Sequence, residues 1–415
     1  MKTEVLIVGG GIAGILTAHF LHEKNIPYLL VDKDKLFNGV TKRTTAKITY
    51  QHNLIYSKIK NQYGIETAQK YLKANKIAFD KYKELAASID CDYEIKNNYV
   101  YSLNDRYSLE EEAKVLDEIG YHAEITENIS LPFKTVGSLC FKNQAQFNAV
   151  KFLEQISKKL NYIENCFIKK IDKNTAYTDK SSIAANNIVI TTHFPFIDKH
   201  GLYFLKLYQD RSYVIALENA QDVDGMYIDE SGKGFSFRNY KNLLFLGGGS
   251  HRTGKKGGNY TVLRDFATKV YPNSSEQYHW ATQDCMSLDG MPYIGKYSSK
   301  TSNLFTATGF NKWGMTSSMV AAMILCDMIT GENITKDFAD IFSPSRSILK
   351  TQLLINSWES VINLFALRGK RCPHLGCALK WNKAEHSWDC PCHGSRFNQK
   401  GKLINNPANK DKENI

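Results

Sequence analysis

Two short segments near the carboxyl end, rich in cysteine and histidine, constrain this chain more than any other feature. Residues 372–377 read Cys-Pro-His-Leu-Gly-Cys, and residues 390–395 read Cys-Pro-Cys-His-Gly-Ser. The Cys-x-His and Cys-x-x-His pairs offer two thiolates and two imidazoles, which suit a 2Fe–2S centre with two histidines on one iron. A Cys/His zinc knuckle is the alternative. Because a neutral imidazole replaces a charged thiolate, an iron–sulfur centre here predicts one-electron transfer at a raised potential.

The amino-terminal residues predict a dinucleotide site. Residues 4–8 are typical of a buried parallel strand, a helical pattern follows from Ile12 to about Lys24, and the apolar run 28–31 ends in Asp32. Glycines 9, 11 and 14 complete the Gly-x-Gly-x-x-Gly fingerprint in its usual context of strand, turn, helix, strand and acid.

Each part of this fingerprint has a physical role. Gly9 allows the tight turn, Gly11 lets the backbone approach a pyrophosphate, and Gly14 lets the helix pack close to the strand. Free N–H groups at the helix start, around Ile12 and Ala13, attract phosphate oxygens. Asp32 accepts hydrogen bonds from a ribose, and its charge disfavours a nucleotide with a 2′-phosphate.

Composition is that of an ordinary globular protein. The 415 residues are 43% hydrophobic and 23% charged, which allows two or three domains. The formal charge of +11 fits either a lysine-rich solvated surface or docking to an acidic electron-transfer partner. No nucleic-acid motif and no apolar run of the ~18–20 residues needed for a membrane span is present. We therefore expect a cytoplasmic protein.

The pattern of elements predicts an α/β fold. A Rossmann-like nucleotide domain is expected from about residues 1–50, 140–200 and 285–345, with an inserted α+β substrate domain completing the unit 1–345. Residues 346–368 are expected to link this unit to a small all-β module, 369–415. The module lacks room for strands before its first cysteine, so we expect it to depend on the larger body for stability.

The chain resembles two known families. Residues 1–346 resemble the glycine/D-amino-acid oxidase family of FAD-dependent oxidoreductases, and the tail from about Gly369 resembles a Rieske iron–sulfur domain. The matching body segments are the fingerprint with Asp32, Gly39 with 43–47 (Arg-Thr-Thr-Ala-Lys), 289–295 (Asp-Gly-Met-Pro-Tyr-Ile-Gly) and 308–316 (Thr-Gly-Phe-Asn-Lys-Trp-Gly-Met-Thr).

The first resemblance implies FAD as cofactor. It places Thr44, Thr45 and Ala46 in the loop beside the isoalloxazine. It also implies that a turn brings backbone N–H groups and a helix start to the pyrimidine end of the flavin, where negative charge develops on reduction. The residues of that turn are Gly309, Lys312, Trp313, Gly314, Met315 and Thr316.

The second resemblance assigns the metal ligands. It implies that Cys372 and Cys390 bind the inner iron, that His374 and His393 bind the more exposed iron, and that Cys377 and Cys392 form a disulfide. Ser395 is then placed to hydrogen-bond a bridging sulfide. Phe397 stands where high-potential Rieske proteins have tyrosine, so a lower potential is expected.

The combined resemblance predicts a dehydrogenase acting on a small amine or amino acid. Electrons would pass from FAD through the 2Fe–2S cluster to a one-electron acceptor protein or a quinone. The candidates for contact with substrate are Arg211, Arg238, Arg252, Tyr213, His251 and Lys312. The alternative is an electron-transfer or redox-sensing protein that turns over no small molecule. An oxygenase is disfavoured, because no site of two histidines and a carboxylate for a mononuclear iron is evident.

Overall fold

The computed structural model describes residues 1–197, 200–366 and 369–413. Residues 367–368 of the predicted linker, 414–415 of the predicted tail and 198–199 of the predicted nucleotide segment lie outside this range. The helices are α1 (Ile12–Glu23), α2 (Ile55–Tyr63), α3 (Ile65–Ala86), α4 (Arg106–Glu118), α5 (Ala149–Ser157), α6 (Tyr203–Lys206), α7 (Asn259–Val270), α8 (Gly314–Thr330) and α9 (Thr351–Leu364), with 3-10 turns at Val40–Arg43 and Ala339–Phe342.

The strands form three sheets. In chain order they are β1 (Lys2–Val8), β2 (Tyr28–Val31), β3 (Lys47–Ile48), β4 (Glu94–Ser102), β5 (Glu124–Thr126), β6 (Gly137–Gln146), β7 (Tyr162–Ile163), β8 (Lys170–Asp172), β9 (Thr175–Tyr177), β10 (Ser182–Ile190), β11 (Leu207–Glu218), β12 (Met226–Asp229), β13 (Ser236–Tyr240), β14 (Leu243–Arg252), β15 (Ser275–Ser287), β16 (Tyr293–Lys296), β17 (Leu304–Thr308), β18 (Lys380–Asn382), β19 (Ser387–Asp389), β20 (Arg396–Asn398) and β21 (Leu403–Asn405).

The first sheet is the predicted nucleotide domain. Its order is β16-β17-β10-β1-β2-β7, with β8 and β9 attached to β10. The β17-β10-β1-β2-β7 run is parallel. Parallel strands are covered on both faces, which explains the apolar runs 5–8 of β1 and 28–31 of β2. Helix α1 packs against α8 on one face.

The second sheet forms the inserted domain and supplies one wall of the site. Its order is β15-β11-β14-β13-β12-β4-β6-β3, with β5 attached to β6. Long antiparallel pairing joins β11 to both β14 and β15. The predicted nucleotide segment 140–200 differs at its start, because β6 pairs with β4 in this second sheet rather than in the first.

The tail is a four-stranded antiparallel sheet, β18-β19-β20-β21, so the all-β prediction for this module is confirmed. The predicted linker 346–368 contains a helix, α9, in its described part. Helix α4 was not predicted, and the Asp105 side chain caps it by accepting from the Ser108 N–H.

Candidate functional site

A cavity of about 990 Å³ lies between the carboxyl ends of the parallel strands and the second sheet. Ligands of open α/β sheets bind at this edge of the sheet. The residues that follow β1, β2 and β10 line one end, and side chains of β11, β14 and β15 line the other. Residues 402–406 of the tail also line it, and the Lys33 Nζ donates to the Ile404 carbonyl at 3.2 Å.

The glycine turn 9–14 packs too closely against neighbouring backbone to accept side chains at Gly9 and Gly14. Gly9 has φ +115°, and a Cβ on Gly14 would lie 1.9 Å from the Gly9 carbonyl oxygen. The Thr191 hydroxyl donates to the same oxygen at 2.8 Å. Gly9, Gly11, Ile12 and Ala13 line the cavity, whereas Gly14 lies behind the turn. The turn therefore fits the pyrophosphate of a dinucleotide.

Asp32 lies at the end of β2 and fixes this turn. Its Oδ2 accepts from the Gly10 N–H at 2.6 Å and its Oδ1 accepts from the Asp34 N–H at 2.8 Å. Burial raises the pKa of the Asp32 carboxyl. The carboxyl lines the cavity, which is the position expected for a contact with ribose.

The loop 44–46 reaches the middle of the cavity. Thr44 and Thr45 line it. Ala46 is buried behind them, with φ +51°, and its N–H donates to the Thr44 hydroxyl at 3.0 Å. The structure thus brings two of these three predicted residues to the cavity surface.

The turn before α8 forms another part of the wall. Lys312, Trp313, Gly314 and Met315 line the cavity. Gly309, with φ +70°, shapes the turn from behind. The amino end of α8 therefore faces the cavity, as predicted for a site where negative charge develops.

His52 supports this turn and was not predicted. Its ring stacks on Trp313 at 4.9 Å between centroids, and its Nε2 lies 2.8 Å from the Thr316 hydroxyl. Thr316 is buried beneath the turn. Burial lowers the pKa of His52 to about 3, so the ring is neutral. No sequence signal separates His52 from a histidine of the core.

A polar cluster lies on the second sheet beside Lys312. The Lys312 Nζ is 3.2 Å from the Ser250 hydroxyl and 3.4 Å from the Asp210 carboxylate. The Ser212 hydroxyl lies between Ser250, at 3.1 Å, and Asp284, at 3.4 Å. Burial raises the pKa of Asp284 to about 6. Of these groups, sequence reasoning identified Lys312 alone.

The three candidate arginines are directed elsewhere. Arg211 pairs with Glu385 of the tail, with Nε at 2.9 Å from Oε2. Arg252 donates to the Pro391 and Cys392 carbonyls at 3.0 and 3.1 Å. Arg238 is buried over the rings of Tyr240 and Phe245. In the described part of the chain, none of the three lines the cavity.

Tyr213 and His251 form a pair on the tail side. The Tyr213 hydroxyl lies 3.0 Å from His251 Nε2 and 3.5 Å from Glu385. His251 Nδ1 lies 2.9 Å from the Arg252 carbonyl oxygen, so this nitrogen carries the proton. Tyr213 is among the cavity residues, whereas His251 is not.

The two cysteine loops of the tail have matching backbones. The Gly376 N–H donates to the Cys372 carbonyl and the Gly394 N–H donates to the Cys390 carbonyl, both at 2.9 Å. Both glycines have φ +80°, which favours glycine. The two loops therefore present their first cysteine in equivalent positions, whereas the histidine lies two residues after Cys372 and three residues after Cys390.

These loops bring together the predicted donor set. The thiols of Cys372 and Cys390 are buried and share a hydrogen bond, which raises the pKa of Cys372 and lowers that of Cys390. Cys377 and Cys392 form a disulfide that joins the loops. The Ser395 hydroxyl accepts from the Ala408 N–H at 3.0 Å. Two thiols and two imidazoles on clamped loops fit a 2Fe–2S centre.

The two histidines differ in exposure. Their rings lie 5.0 Å apart between centroids. His374 is half-buried, but His393 is buried. Neither ring nitrogen of His393 has a hydrogen-bond partner among the described residues. Buried imidazole nitrogens without partners are available to a metal.

The body holds the His393 loop directly. Gln209 Nε2 donates to the His393 carbonyl at 2.7 Å, and Gln283 Nε2 donates to the Gly394 carbonyl at 2.8 Å. The Phe194 ring lies 6.3 Å from the His393 ring between centroids. The tail thus packs on the body, as expected for so small a module.

Comparisons with known proteins agree with this geometry. The family model for FAD dependent oxidoreductase (DAO) matches residues 4–328, and that for the Rieske [2Fe-2S] domain matches residues 343–414. A Bacillus subtilis (strain 168) protein, YhfW, named as a Rieske 2Fe-2S iron–sulfur protein, is 32% identical over 100% of this chain and 93% of its own length.

Solved structures show the same fold for the body. Glycine oxidase from Geobacillus kaustophilus superposes with a TM-score of 0.70 at 16% identity, covering 84% of this chain and 99% of that one. L-Proline dehydrogenase from P. horikoshii gives a TM-score of 0.68 at 15% identity, covering 83% and 97%. In the described residues, no helix has both the length and the apolar character needed to cross a bilayer.

Proposed function

Since this chain belongs to the DAO family of FAD-dependent oxidoreductases and carries a Rieske [2Fe-2S] domain, we propose that it is an amine or amino-acid dehydrogenase. FAD takes two electrons from a substrate as hydride, and a 2Fe–2S cluster passes electrons on singly. In this proposal the electrons leave the cluster to an external acceptor protein or quinone, and the protein works in the cytoplasm.

One observation carries the proposal: strand β11 separates the cavity from the cluster loops. Asp210 and Ser212 line the cavity. Gln209 and Arg211, on the opposite face, contact the His393 loop and Glu385. Successive side chains of a strand point to opposite faces, so a single layer of backbone lies between the two sites.

A second short connection supports the same path. His193 lines the cavity, and the next residue, Phe194, packs its ring against His393. The Asn406 side chain donates to the Thr192 carbonyl at 2.7 Å, which fixes the tail to this segment. Adjacent residues thus touch both sites, as an internal electron path requires.

The cavity residues are assigned roles in the proposal. The glycine turn and Asp32 hold the adenosine and pyrophosphate of FAD, and the loop 44–45 with the turn 312–315 holds the flavin ring. Asp284 and Asp210 present carboxylates beside Lys312. Since the three candidate arginines do not line the cavity, these carboxylates are the groups we assign to bind a substrate ammonium.

The iron–sulfur ligands are assigned in the same way. Cys372 and Cys390 bind one iron, and His374 and His393 bind the other. The Phe397 side chain is buried against the cysteine loops, where it supplies no hydroxyl. We therefore propose a potential below that of Rieske proteins with a tyrosine at this position.

Anaerobic reduction of the holoprotein by a panel of amines and amino acids tests the proposal. Flavin absorbance and the electron paramagnetic resonance of the cluster are followed together. The expected result is flavin bleaching by one substrate class, followed by a reduced-cluster signal. If a reduced carrier protein bleaches the flavin and no small molecule does, the protein is an electron-transfer protein instead. Rapid formation of hydrogen peroxide in air, with an oxidised cluster throughout, would indicate an oxidase.

A further inference from the structure

Helix α9 turns its polar side chains towards the protein and its apolar side chains towards solvent. Asn356 and Asn363 are buried. The Asn356 Nδ2 donates to the Leu205 carbonyl at 3.2 Å, and its Oδ1 accepts from Arg252 at 2.9 Å. The outward face exposes Leu354 by 71% and Trp358 by 65%. A surface helix normally has the reverse orientation.

These exposed residues form one surface, which we term the α9 face. It comprises Leu354, Ile355, Trp358, Val361, Ile362, Leu364, Phe365 and Leu375, all of them exposed. Positions 354, 358, 361, 362 and 365 recur at helical spacing, so they form a continuous stripe. The one charged residue of the helix, Glu359, is withdrawn from the stripe by its 2.7 Å pair with Lys255.

The α9 face continues into the first cluster loop. The Ala378 N–H donates to the Asn363 carbonyl at 2.9 Å, and Arg371 donates to the Leu364 carbonyl at 2.8 Å. Leu375 follows His374 directly in the sequence. Since His393 faces the body, the His374 side is the outward side of the cluster site. An acceptor that covers the α9 face therefore reaches the site at His374.

Cations border the α9 face at both ends. Lys350 precedes the helix, and its Nζ lies 3.9 Å from the centre of the Tyr63 ring. Lys370 and Arg371 follow it, with the Lys370 Nζ 4.1 Å from the centre of the Trp388 ring. The whole chain carries a formal charge of +11. An apolar face with Trp and Phe between basic residues is typical of a helix in the interface of an anionic bilayer.

We propose that the α9 face lies in the headgroup layer of an anionic lipid bilayer, with His374 directed at the membrane. The acceptor is then a quinone dissolved in the bilayer, a part of the inference that rests on the proposed function. A protein partner fits less well, because such interfaces carry about one hydrogen bond per 100–200 Å², and the indole N–H of Trp358 is the single polar side-chain group of the α9 face.

Flotation of the holoprotein with vesicles tests the contact without any substrate. Vesicles of phosphatidylglycerol and phosphatidylethanolamine are compared with vesicles of phosphatidylcholine alone. We expect binding to the anionic vesicles that weakens with added salt. Leu354→Ser should lower the partition coefficient about tenfold or more, as expected when a buried leucine is lost. Ile334→Ser is the matched control, since Ile334 is 69% exposed elsewhere on the surface.

A second variant keeps the test decisive. Trp358→Phe should bind as the wild type does, but fluorescence quenching by brominated lipid should fall, because the residue in the bilayer is replaced. Absence of binding to anionic vesicles, or binding that Leu354→Ser leaves unchanged, would overturn the proposal. So would dimers in analytical ultracentrifugation that Leu354→Ser dissociates, since a second copy would then cover the face.

Electron transfer to the membrane is measured separately from amine oxidation. The holoprotein is photoreduced without substrate and mixed with anionic vesicles with or without quinone. Reoxidation of the cluster should be faster with quinone, and Leu354→Ser should remove most of that gain. Because neither measurement uses an amine, a failed substrate screen and a failed membrane contact are distinguishable.

Discussion

The ion pair between Arg211 and Glu385 is expected to contribute most to the docking of the tail. Replacing one of the two side chains should cost more stability than replacing the other. The side chain of Arg211 is 3% exposed and that of Glu385 is 14% exposed. Glu385 also lies 3.1 Å from Arg396 and 3.2 Å from Asn382. Removing the carboxylate therefore leaves the buried Arg211 guanidinium without its ion-pair partner and near the like charge of Arg396, whereas removing the cation leaves a carboxylate that still has partners.

The magnitudes follow from this asymmetry. Breaking a buried pair and leaving an uncompensated charge costs about 3–5 kcal/mol, so Glu385→Gln should lie in that range. Arg211→Met removes the more deeply buried charge, and we expect a loss of about 1–2 kcal/mol. With a urea dependence of about 1–2 kcal/mol per M for a small unit, a loss of about 4 kcal/mol lowers the midpoint by roughly 2–4 M.

Urea titration of the holoprotein measures both losses. The visible circular dichroism of the cluster should report on the tail, and tryptophan fluorescence on the tail and the rest of the chain together, since two of the five tryptophans, Trp381 and Trp388, lie in the tail. The double variant should lose less than the sum of the single ones, because its members share one interaction. If Arg211→Met is as destabilising as Glu385→Gln, the argument from unequal compensation is wrong.

Further predictions concern the cofactor sites. Gly14→Ala should abolish FAD binding, which flavin absorbance measures, since its Cβ would lie 1.9 Å from the Gly9 oxygen. Because the pKa of Asp284 is about 6, its carboxylate is lost as pH falls through that value. The kcat/KM for an amine should therefore fall below pH about 6, and Asp284→Asn should remove this acid-side fall. If the fall persists in the variant, another group is responsible for it. Arg252→Lys should alter the cluster resonance and potential and leave the substrate KM unchanged, because Arg252 holds two carbonyls of the cluster loop; a raised KM alone would make it a substrate residue.

Patterns within short segments of the sequence predicted the strands, turns and helices that those same segments form. The strand, glycine turn, helix and acid of residues 2–32 appear as expected, and helix α8 ends before Gly331, which has φ +78°. The spacing of cysteine and histidine in the two tail loops is found in only a few kinds of metal site. In each of these segments the residues that act together lie close in the sequence. Their pattern can therefore be recognised without knowing how the chain packs.

The remaining features depend on contacts between distant residues. His52 meets Trp313 from 261 positions away, and Asp284 meets Ser212 across paired strands. Arg211 has the residue type expected for a substrate site, yet alternation along β11 turns it to the tail. The burial of His393 depends on Phe194 and Gln209, which no motif links to it. Residues 351–364 were predicted as part of a linker although their apolar positions recur at helical spacing, and no local pattern shows that the apolar face of α9 points to solvent.

Strand β11 gives the protein an unusual sensitivity to insertions. Its residues 209–212 alternate between the tail and the cavity, so one residue added just before them would exchange the faces of these four side chains. Asp210 would turn to the tail, and Arg211 would enter the cavity as an unpaired cation. Conservative substitutions at single positions should be tolerated far better than a change of length. Viable relatives should therefore differ in the loops at the ends of this strand and keep its residue count constant.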